Sequence, residues 1–232
     1  TWIVNFAAES HVDRSIEDAS VFAKTNVEGV LSLLDCANQF WATSDGEKKF
    51  IQISTDEVYG SLGQTGYFSE TSPLHPRNPY SATKAGADLL ALSYYHTHRL
   101  PVLITRCTNN YGPNQYPEKL IPLLVKCCLE HKPFPIYGDG LQVRDWIYVL
   151  DHCSAVCQVL SSGKPGEIYH IGANCEKTNL QVIETVLHCM EPYVDPAILH
   201  SVPTFVTDRK GHDRRYALDC TKIRAQLGWQ PT

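Results

Sequence analysis

Tyr80 and Lys84 stand four residues apart in Asn78-Pro79-Tyr80-Ser81-Ala82-Thr83-Lys84, downstream of Ile53-Ser54-Thr55-Asp56-Glu57-Val58-Tyr59-Gly60. Side chains at this spacing share one helix face, so a phenol and an ammonium can be aimed into one site. A free tyrosine titrates near about 10, and a neighbouring cation favours the phenolate that a general base needs. Asp56 and Glu57 add two carboxyls. Close carboxyls repel as anions, which separates their titrations into an acid and a base. Plainer readings stand beside these. Tyr80 with Lys84 is also compatible with a helix-surface pair, and Asp56-Glu57 with an acidic strand-end turn. Asn109-Asn110 suits a turn cap, Arg144 a structural ion pair, and His11 turn packing. His96 and His98 read as a solvated helix face, and Tyr94 and Tyr95 as core or dimer contacts.

The elements that must position these groups are legible around them. Thr1 to Phe6 reads as a buried strand, followed by a polar turn at Glu9-Ser10-His11. A helix is predicted from about Ser20, with Val27, Val30, Leu31 and Leu34 at helical spacing. Lys49 to Ser54 is the next strand, and its end delivers Thr55, Asp56 and Glu57. Ser61 to Pro79, rich in Gly, Ser and Pro, reads as a loop. Tyr80 opens a helix to about Arg99 with Ala85, Leu89 and Leu92 on its apolar face, and Val102 to Thr105 is a third strand. This alternation predicts an α/β fold around a parallel sheet. After Tyr111-Gly112-Pro113 a helix is expected near Leu120–Glu130, then extended pieces at Phe134–Tyr137 and Trp146–Val149. Helices at Asp151–Leu160 and Leu180–Met190 flank a strand at Glu167–Ile171. The second half reads as a smaller lobe interleaved with the sheet, with a boundary near residue 112.

Bulk properties narrow the function classes. The 232 residues suffice for one large domain or two small ones. Apolar content of 43% and charged content of 19% suit a globular chain rather than a disordered one. Twenty basic against 25 acidic residues, a net charge of −5, argues against nucleic acid or an acidic membrane surface as partner. No apolar run approaches the ~20 residues of a membrane span. No signal-peptide pattern is present, although Thr1 is not a natural start. The nine cysteines show no Cys-x-x-Cys pair. They are expected to be buried reduced thiols in a cytoplasmic setting, with no metal site. A dinucleotide fold opens on a strand, a glycine-rich turn and a helix. No Gly-x-x-Gly-x-x-Gly occurs, so the chain reads as starting on a later strand of such a sheet.

Several segments together carry a resemblance. Asn5-Phe6-Ala7-Ala8-Glu9-Ser10-His11-Val12-Asp13, Ser54-Thr55-Asp56-Glu57-Val58-Tyr59-Gly60 and Asn109-Asn110-Tyr111-Gly112-Pro113 are three of them. Pro117-Glu118-Lys119-Leu120-Ile121-Pro122, Arg144-Asp145-Trp146 and Asp208-Arg209 complete the set. The chain resembles the extended short-chain dehydrogenase/reductase superfamily, and within it the dTDP-glucose 4,6-dehydratase family. That resemblance implies a Rossmann-like doubly wound parallel sheet lacking its N-terminal strands and glycine-rich turn, with a smaller C-terminal substrate-binding lobe. Residues 1–112 would form a partial NAD-binding domain carrying the catalytic groups, and residues 113–232 mainly the sugar-nucleotide lobe. Leu227-Gly228-Trp229-Gln230-Pro231 resembles an interior family motif, so the lobe is expected to be incomplete.

The resemblance also implies roles. Tyr80 as phenolate removes the sugar O4 proton while C4 gives hydride to NAD, Lys84 bonds the nicotinamide ribose, and Thr55 bonds O4. Glu57 then removes the C5 proton, Asp56 protonates the departing C6 hydroxyl, and hydride returns to C6. Ala7, Ala8, Ser10, Thr25 and Asn110 match cofactor positions. Ser10, Asn109, Lys119, Leu120, Arg144, Asn179, Asp208, Arg209 and His212 match positions around the nucleotide and diphosphate, with Pro135, Ile136 and Tyr137 beside them. Lys210 departs from the proline expected in the Asp-Arg-x-Gly-His turn. A homodimer joined through the helices near Ser20–Asn38 and Tyr80–Arg99 is expected. A UDP-sugar 4-epimerase needs no adjacent acid–base pair, and a UDP-glucuronate decarboxylase would carry Ser at Asp56. A non-catalytic protein on the same scaffold is the reading from a different class.

Overall fold

The computed structural model describes residues 1–200 and 202–232. Four parallel strands form the central sheet in the order β1 (Trp2–Asn5), β2 (Lys49–Thr55), β3 (Val102–Cys107), β7 (Ile168–Ile171). Between β1 and β2 run α1 (Val12–Glu17), α2 (Ala19–Ala23) and α3 (Gly29–Trp41). The helix α4 (Pro79–His98) connects β2 to β3, and α6 (Val149–Ser162) precedes β7. Residues in register alternate between the two faces. Phe50, Val102 and Ile104 face Val30, Leu34, Ala87 and Ala91 of α3 and α4. Ile51, Leu103, Tyr169 and Ile171 face Ala155 and Val159 of α6 and Ile223 of α9 (Thr221–Leu227). Helices cover both faces, so β2 is buried along its whole length rather than alternating.

The second part is built from β4 (Asn109–Tyr111), β5 (Phe134–Tyr137), β6 (Val143–Tyr148), β8 (Glu176–Thr178) and β9 (Pro203–Val206). β4 and β8 flank β6, and β5 pairs with β9. A separate core of Leu124, Phe134, Ile136, Ile183 and Leu199 gathers α5 (Leu120–Glu130), α7 (Asn179–Met190) and α8 (Pro196–Leu199). Because α6, β7 and α9 return to the main sheet, the chain crosses between the two parts more than once.

Four expectations differ from the structure. The first strand is partly exposed, with Trp2 at 50% and Phe6, just beyond β1, at 57%, because β1 lies at the sheet edge. The predicted single helix from Ser20 contains a π-turn over Lys24–Glu28. That turn carries Asn26 inward, where it bonds Glu9 N and O at 2.8 and 3.0 Å and Thr83 Oγ1 at 3.0 Å. On α4 Ala85 is buried and Leu92 half-buried as expected, but Lys84, Ala87, Asp88 and Ala91 are buried with them and Leu89 is exposed. The thiols are all free, but only Cys127, Cys128 and Cys220 are buried. Cys36, Cys153, Cys157, Cys175 and Cys189 are exposed and Cys107 is intermediate. Helical apolar stretches expose one side of each helix, and several cysteines fall there.

Two buried histidines make acid stability testable. Burial holds the ring of His170 down to about 3 and that of His152 to about 4, against 6.5 when free. A depressed folded value means the unfolded chain binds more protons between those limits. The contribution of each ring is complete above 6.5 and is lost as pH falls from there. Urea unfolding of His170→Gln and His152→Gln should show a flatter loss across this window than the parent. The difference should reach about 1.4 kcal/mol per pH unit per histidine; parallel curves for parent and variants would refute it.

Candidate active site

The site begins where β2 stops. Thr55 caps the 3-10 turn Asp56–Tyr59: its hydroxyl accepts the Glu57 N–H at 3.3 Å and donates to Asp56 Oδ1 at 3.2 Å. Gly60 closes that turn at φ 78°, where an added Cβ would stand 2.4 Å from the His75 carbonyl oxygen. Beside it, α4 opens on a capping box. The Ser81 N–H donates to Asn78 Oδ1 at 2.9 Å, and the Asn78 N–H donates to Ser81 Oγ at 3.3 Å. Pro79 supplies the first helical residue without a wasted N–H. Ser15 of α1 accepts the Tyr80 N–H at 3.1 Å. Two caps thus bring Thr55, Asp56, Glu57 and Tyr80 together.

Burial sets their protonation. It pushes the Asp56 carboxyl well above the ordinary range, and the negative charge of Glu57 adds to the rise. Asp56 Oδ2 has no hydrogen-bond partner. Burial also raises Glu57, but Arg144, a hydrogen bond from Asn78 and Arg209 draw it back. Both carboxyls are therefore raised, Asp213 adding to the rise of Glu57, and Asp56 is the one that burial holds more strongly towards its protonated form. Tyr80 is raised well above 10 by burial first and by Glu57 second, against a hydrogen bond with Thr55. A neighbouring cation is expected to favour the phenolate; here desolvation and the nearby carboxyls act the other way. Lys84 donates to Ile53 O at 2.7 Å. Burial lowers its ammonium, while Asp88 and Cys107 oppose that shift.

Above these groups lies a cleft of about 390 Å³, lined from the sheet side by Glu57, Asn78 and Asn109. Ser10, Lys119, Leu120, Pro135, Ile136 and Tyr137 also line it, as do Arg144, Asn179, Arg209 and His212. Its cations are held by protein groups. The Arg209 guanidinium stacks 4.4 Å over the Tyr137 ring and its Nε lies 3.3 Å from Asp13. Lys119 donates to Ser10 O at 3.1 Å. Arg144 stacks 4.3 Å from the Tyr216 ring and donates to Asp213 O at 3.0 Å. His11 lines the cleft and also caps α1.

Some expected residues stand outside the lining. Asp208 lies behind it, accepting from His212 Nδ1 at 2.6 Å and from Gln142 Nε2 at 3.2 Å, and so orients the histidine. Thr55, Asp56, Tyr80 and Lys84 are not among its lining residues either. Ala7, Ala8, Thr25 and Asn110 are also outside it. The Ala7 N–H bonds Asn5 Oδ1 at 3.1 Å, and Thr25 is half-buried in the π-turn whose next residue, Asn26, makes the structural bonds. Asn110 keeps a buried Oδ1 without a partner. Sequence reasoning missed Asn78, Asp213, Tyr216, Asp13 and Cys107. Only Asn78 had a usable signal, as the residue before a helix-opening proline. No spacing links Asp213 or Tyr216 to Glu57.

Comparison with known proteins follows the same lines. The family model described as GDP-mannose 4,6 dehydratase matches residues 1–232. The chain is 50% identical over 236 residues to a dTDP-glucose 4,6-dehydratase of Xanthomonas campestris pv. campestris, covering 99% of this chain and 67% of that protein. It superposes on the Streptomyces venezuelae dTDP-glucose 4,6-dehydratase, crystallised with NAD bound, at a TM-score of 0.92. There identity is 49%, with 100% of this chain and 68% of the other covered. A UDP-glucuronic acid 4-epimerase of Bacillus cereus is more distant in sequence. It is 27% identical at a TM-score of 0.88, covering 100% of this chain and 70% of that one.

The turn that carries the two carboxyls depends on Gly60. Gly60→Ala meets both the left-handed backbone and the His75 carbonyl. It should destabilise the chain by about 1–3 kcal/mol in denaturant unfolding. Gly63→Ala, with nothing within 4 Å, is the matched control and should stay near parental stability.

Proposed function

The chain belongs to the GDP-mannose 4,6-dehydratase family, and from that membership we propose that its site dehydrates dTDP-glucose to dTDP-4-keto-6-deoxyglucose. The observation that carries the reading is the buried Asp56, beside Glu57 in the same turn and bonded to Thr55, whose hydroxyl also meets Tyr80; burial holds the Asp56 carboxyl towards its protonated form. An epimerase has no use for such a pair. The enzyme is thus a hydro-lyase of nucleotide-sugar metabolism.

The residues present fit the nicotinamide–ribose half of NAD. Lys84 has ammonium protons beyond the one given to Ile53 O, and Asn110 offers a buried oxygen that lacks a partner. Tyr80, Lys84 and Asn110 would hold that half, with Ala7, Ala8, Ser10 and Thr25 along its edge. NAD when bound supplies the acceptor for the C4 hydride and the donor that returns it at C6.

The chain's own groups move the protons. Thr55 and Tyr80 share the O4 hydroxyl; the phenol must first give its own proton to solvent, and the resulting phenolate, its charge offset by the Lys84 ammonium, then takes the O4 proton. C5–H is not acidic until C4 is a ketone, and Glu57 then takes that proton. Hydroxide is a poor leaving group, so Asp56 donates to the C6 oxygen as it departs. Arg144, Arg209 and Lys119 receive the diphosphate, for which a guanidinium fork is well shaped. Leu120, Pro135, Ile136, Tyr137 and Asn179 pack the nucleoside side, and His212 is oriented there by Asp208.

No helix among the described residues is long and apolar enough to cross a membrane. We read the whole protein as cytoplasmic and homodimeric. α3 and α4 pack on each other and leave Leu33, Phe40 and Leu89 exposed, an apolar face that a second copy would cover.

Incubation with dTDP-glucose and NAD should yield a product lighter by one water and bearing a C4 ketone, read by mass spectrometry and carbon NMR. Asp56→Asn should slow water loss by about 10²-fold or more while C4 oxidation persists. Unchanged elimination in that variant removes Asp56 from its role, and a C4-epimer as product sinks the reading.

A further inference from the structure

Behind the site runs a chain of buried polar groups that the chemistry above leaves unused. Asp88 lies one helical turn beyond Lys84 on the sheet-facing stripe of α4 and is fully buried. Its Oδ2 accepts from Arg106 Nε at 2.9 Å and from Ser54 Oγ at 3.0 Å, while its Oδ1 has no hydrogen-bond partner. Arg106 Nη1 donates to Tyr59 Oη at 2.6 Å, and Tyr59 Oη lies 2.6 Å from His170 Nε2. His170 Nδ1 is 3.0 Å from Asp219 O. Ser54, Arg106 and His170 are register partners on β2, β3 and β7. They form one row across the sheet on the face that α4 covers.

We propose that Asp88 acts through Lys84: buried one turn further along α4 and anchored to the sheet by Arg106 and Ser54, its carboxylate is the through-space counter-charge that keeps the buried ammonium charged. The inference rests on the role given to Lys84 above. A lone buried ammonium sheds its proton readily, because water no longer stabilises the charge. The groups facing Lys84 are few. From β2 comes the Ile53 carbonyl, from β3 the Cys107 thiol, and from α4 itself Tyr80 and Asp88. Cys107 is pushed up to about 11 by burial, so it is neutral and supplies no standing charge at neutral pH. Asp88 is thus the anion available to the lysine. Burial raises Asp88 too, but the guanidinium of Arg106 opposes this most strongly and cannot give up its proton. The ladder to Tyr59 and His170 fixes Arg106 and adds no charge, since burial keeps His170 neutral. Asp88 touches neither the cleft lining nor the reacting atoms, so it acts only through Lys84.

The test reads Lys84 directly, without turnover. Carbon-13 labelling of the lysine side chains, with the Lys84 resonance assigned by its loss in Lys84→Arg, gives the ammonium titration in the full chain. In Asp88→Asn, which keeps shape and one acceptor, that titration should fall by at least about one pH unit. In Asp88→Glu it should return towards the parental position. Should Asp88→Asn not fold, Asp88→Asn with Arg106→Met removes both charges of the pair, so that no guanidinium is left buried without its partner. The same downward shift is expected there. A Lys84 titration unmoved in a folded variant overturns the proposal, whatever the activity. In the NAD-loaded protein, the alkaline limb of the hydride-transfer step, followed by reduced-nicotinamide absorbance, should move down with the titration. The KM for the nucleotide sugar should stay constant. Absence of any reduced nicotinamide in the parent would count against the proposed function, while the lysine titration would still decide the role of Asp88.

Discussion

At the ends of β2 and α4 the fold takes Asp56, Glu57, Tyr80 and Lys84 out of water together, and a group removed from water stays charged only if something pairs with it. Much of the site's architecture follows from that constraint. Asp56 has no cation in contact and is neutralised by keeping its proton. Glu57 is drawn back towards its charge by Arg144, Asn78 and Arg209. Tyr80 stays a phenol at rest because burial disfavours its anion and two carboxyls stand near it. Lys84 depends on the polar groups beneath α4. Four groups of ordinary chemistry are thereby shifted, each by its own balance of burial and nearby charge.

The two-part fold is what makes this possible. The sheet alone offers the carboxyls, the phenol and the lysine, all from the end of β2 and the start of α4. The cations that act on Glu57 come from the second part, Arg144 on β6 and Arg209 after β9. Arg144 is in turn fixed by Tyr216 and the Asp213 carbonyl, so the C-terminal segment holds it in place. The return of β7 to the sheet ties the parts together. It brings His170 beside Arg106 and thus joins the outermost strand to the row beneath the catalytic helix.

Much of this was legible from residue order, and the exceptions have physical causes. The α4 start was readable because Asn78, Pro79 and Ser81 are local cap chemistry, which needs no tertiary partner. The boundaries of α5 and β5 were readable because apolar runs between breakers set them. The exposure of Leu89 was not, since helical spacing marks stripes without saying which one meets the sheet. The exposed Cys36, Cys153, Cys157 and Cys189, all on helices, misled for the same reason. The π-turn at Lys24–Glu28 has no local signal at all, and Asn26 has meaning only against Glu9 and Thr83.

Sequence by itself determined the kinds of groups at the site and which of them share a helix face or a strand end, because those depend on neighbours within a few positions. It also carried the family resemblance through motifs spread along the chain. Only the tertiary structure decided which carboxyl burial raises the more, that burial disfavours the phenolate, and that Asp213, Tyr216, Asp88 and Arg106 belong to the neighbourhood. Protonation inside a protein is a balance between lost hydration and charges brought near from distant parts of the chain. That balance does not exist until the fold closes around it.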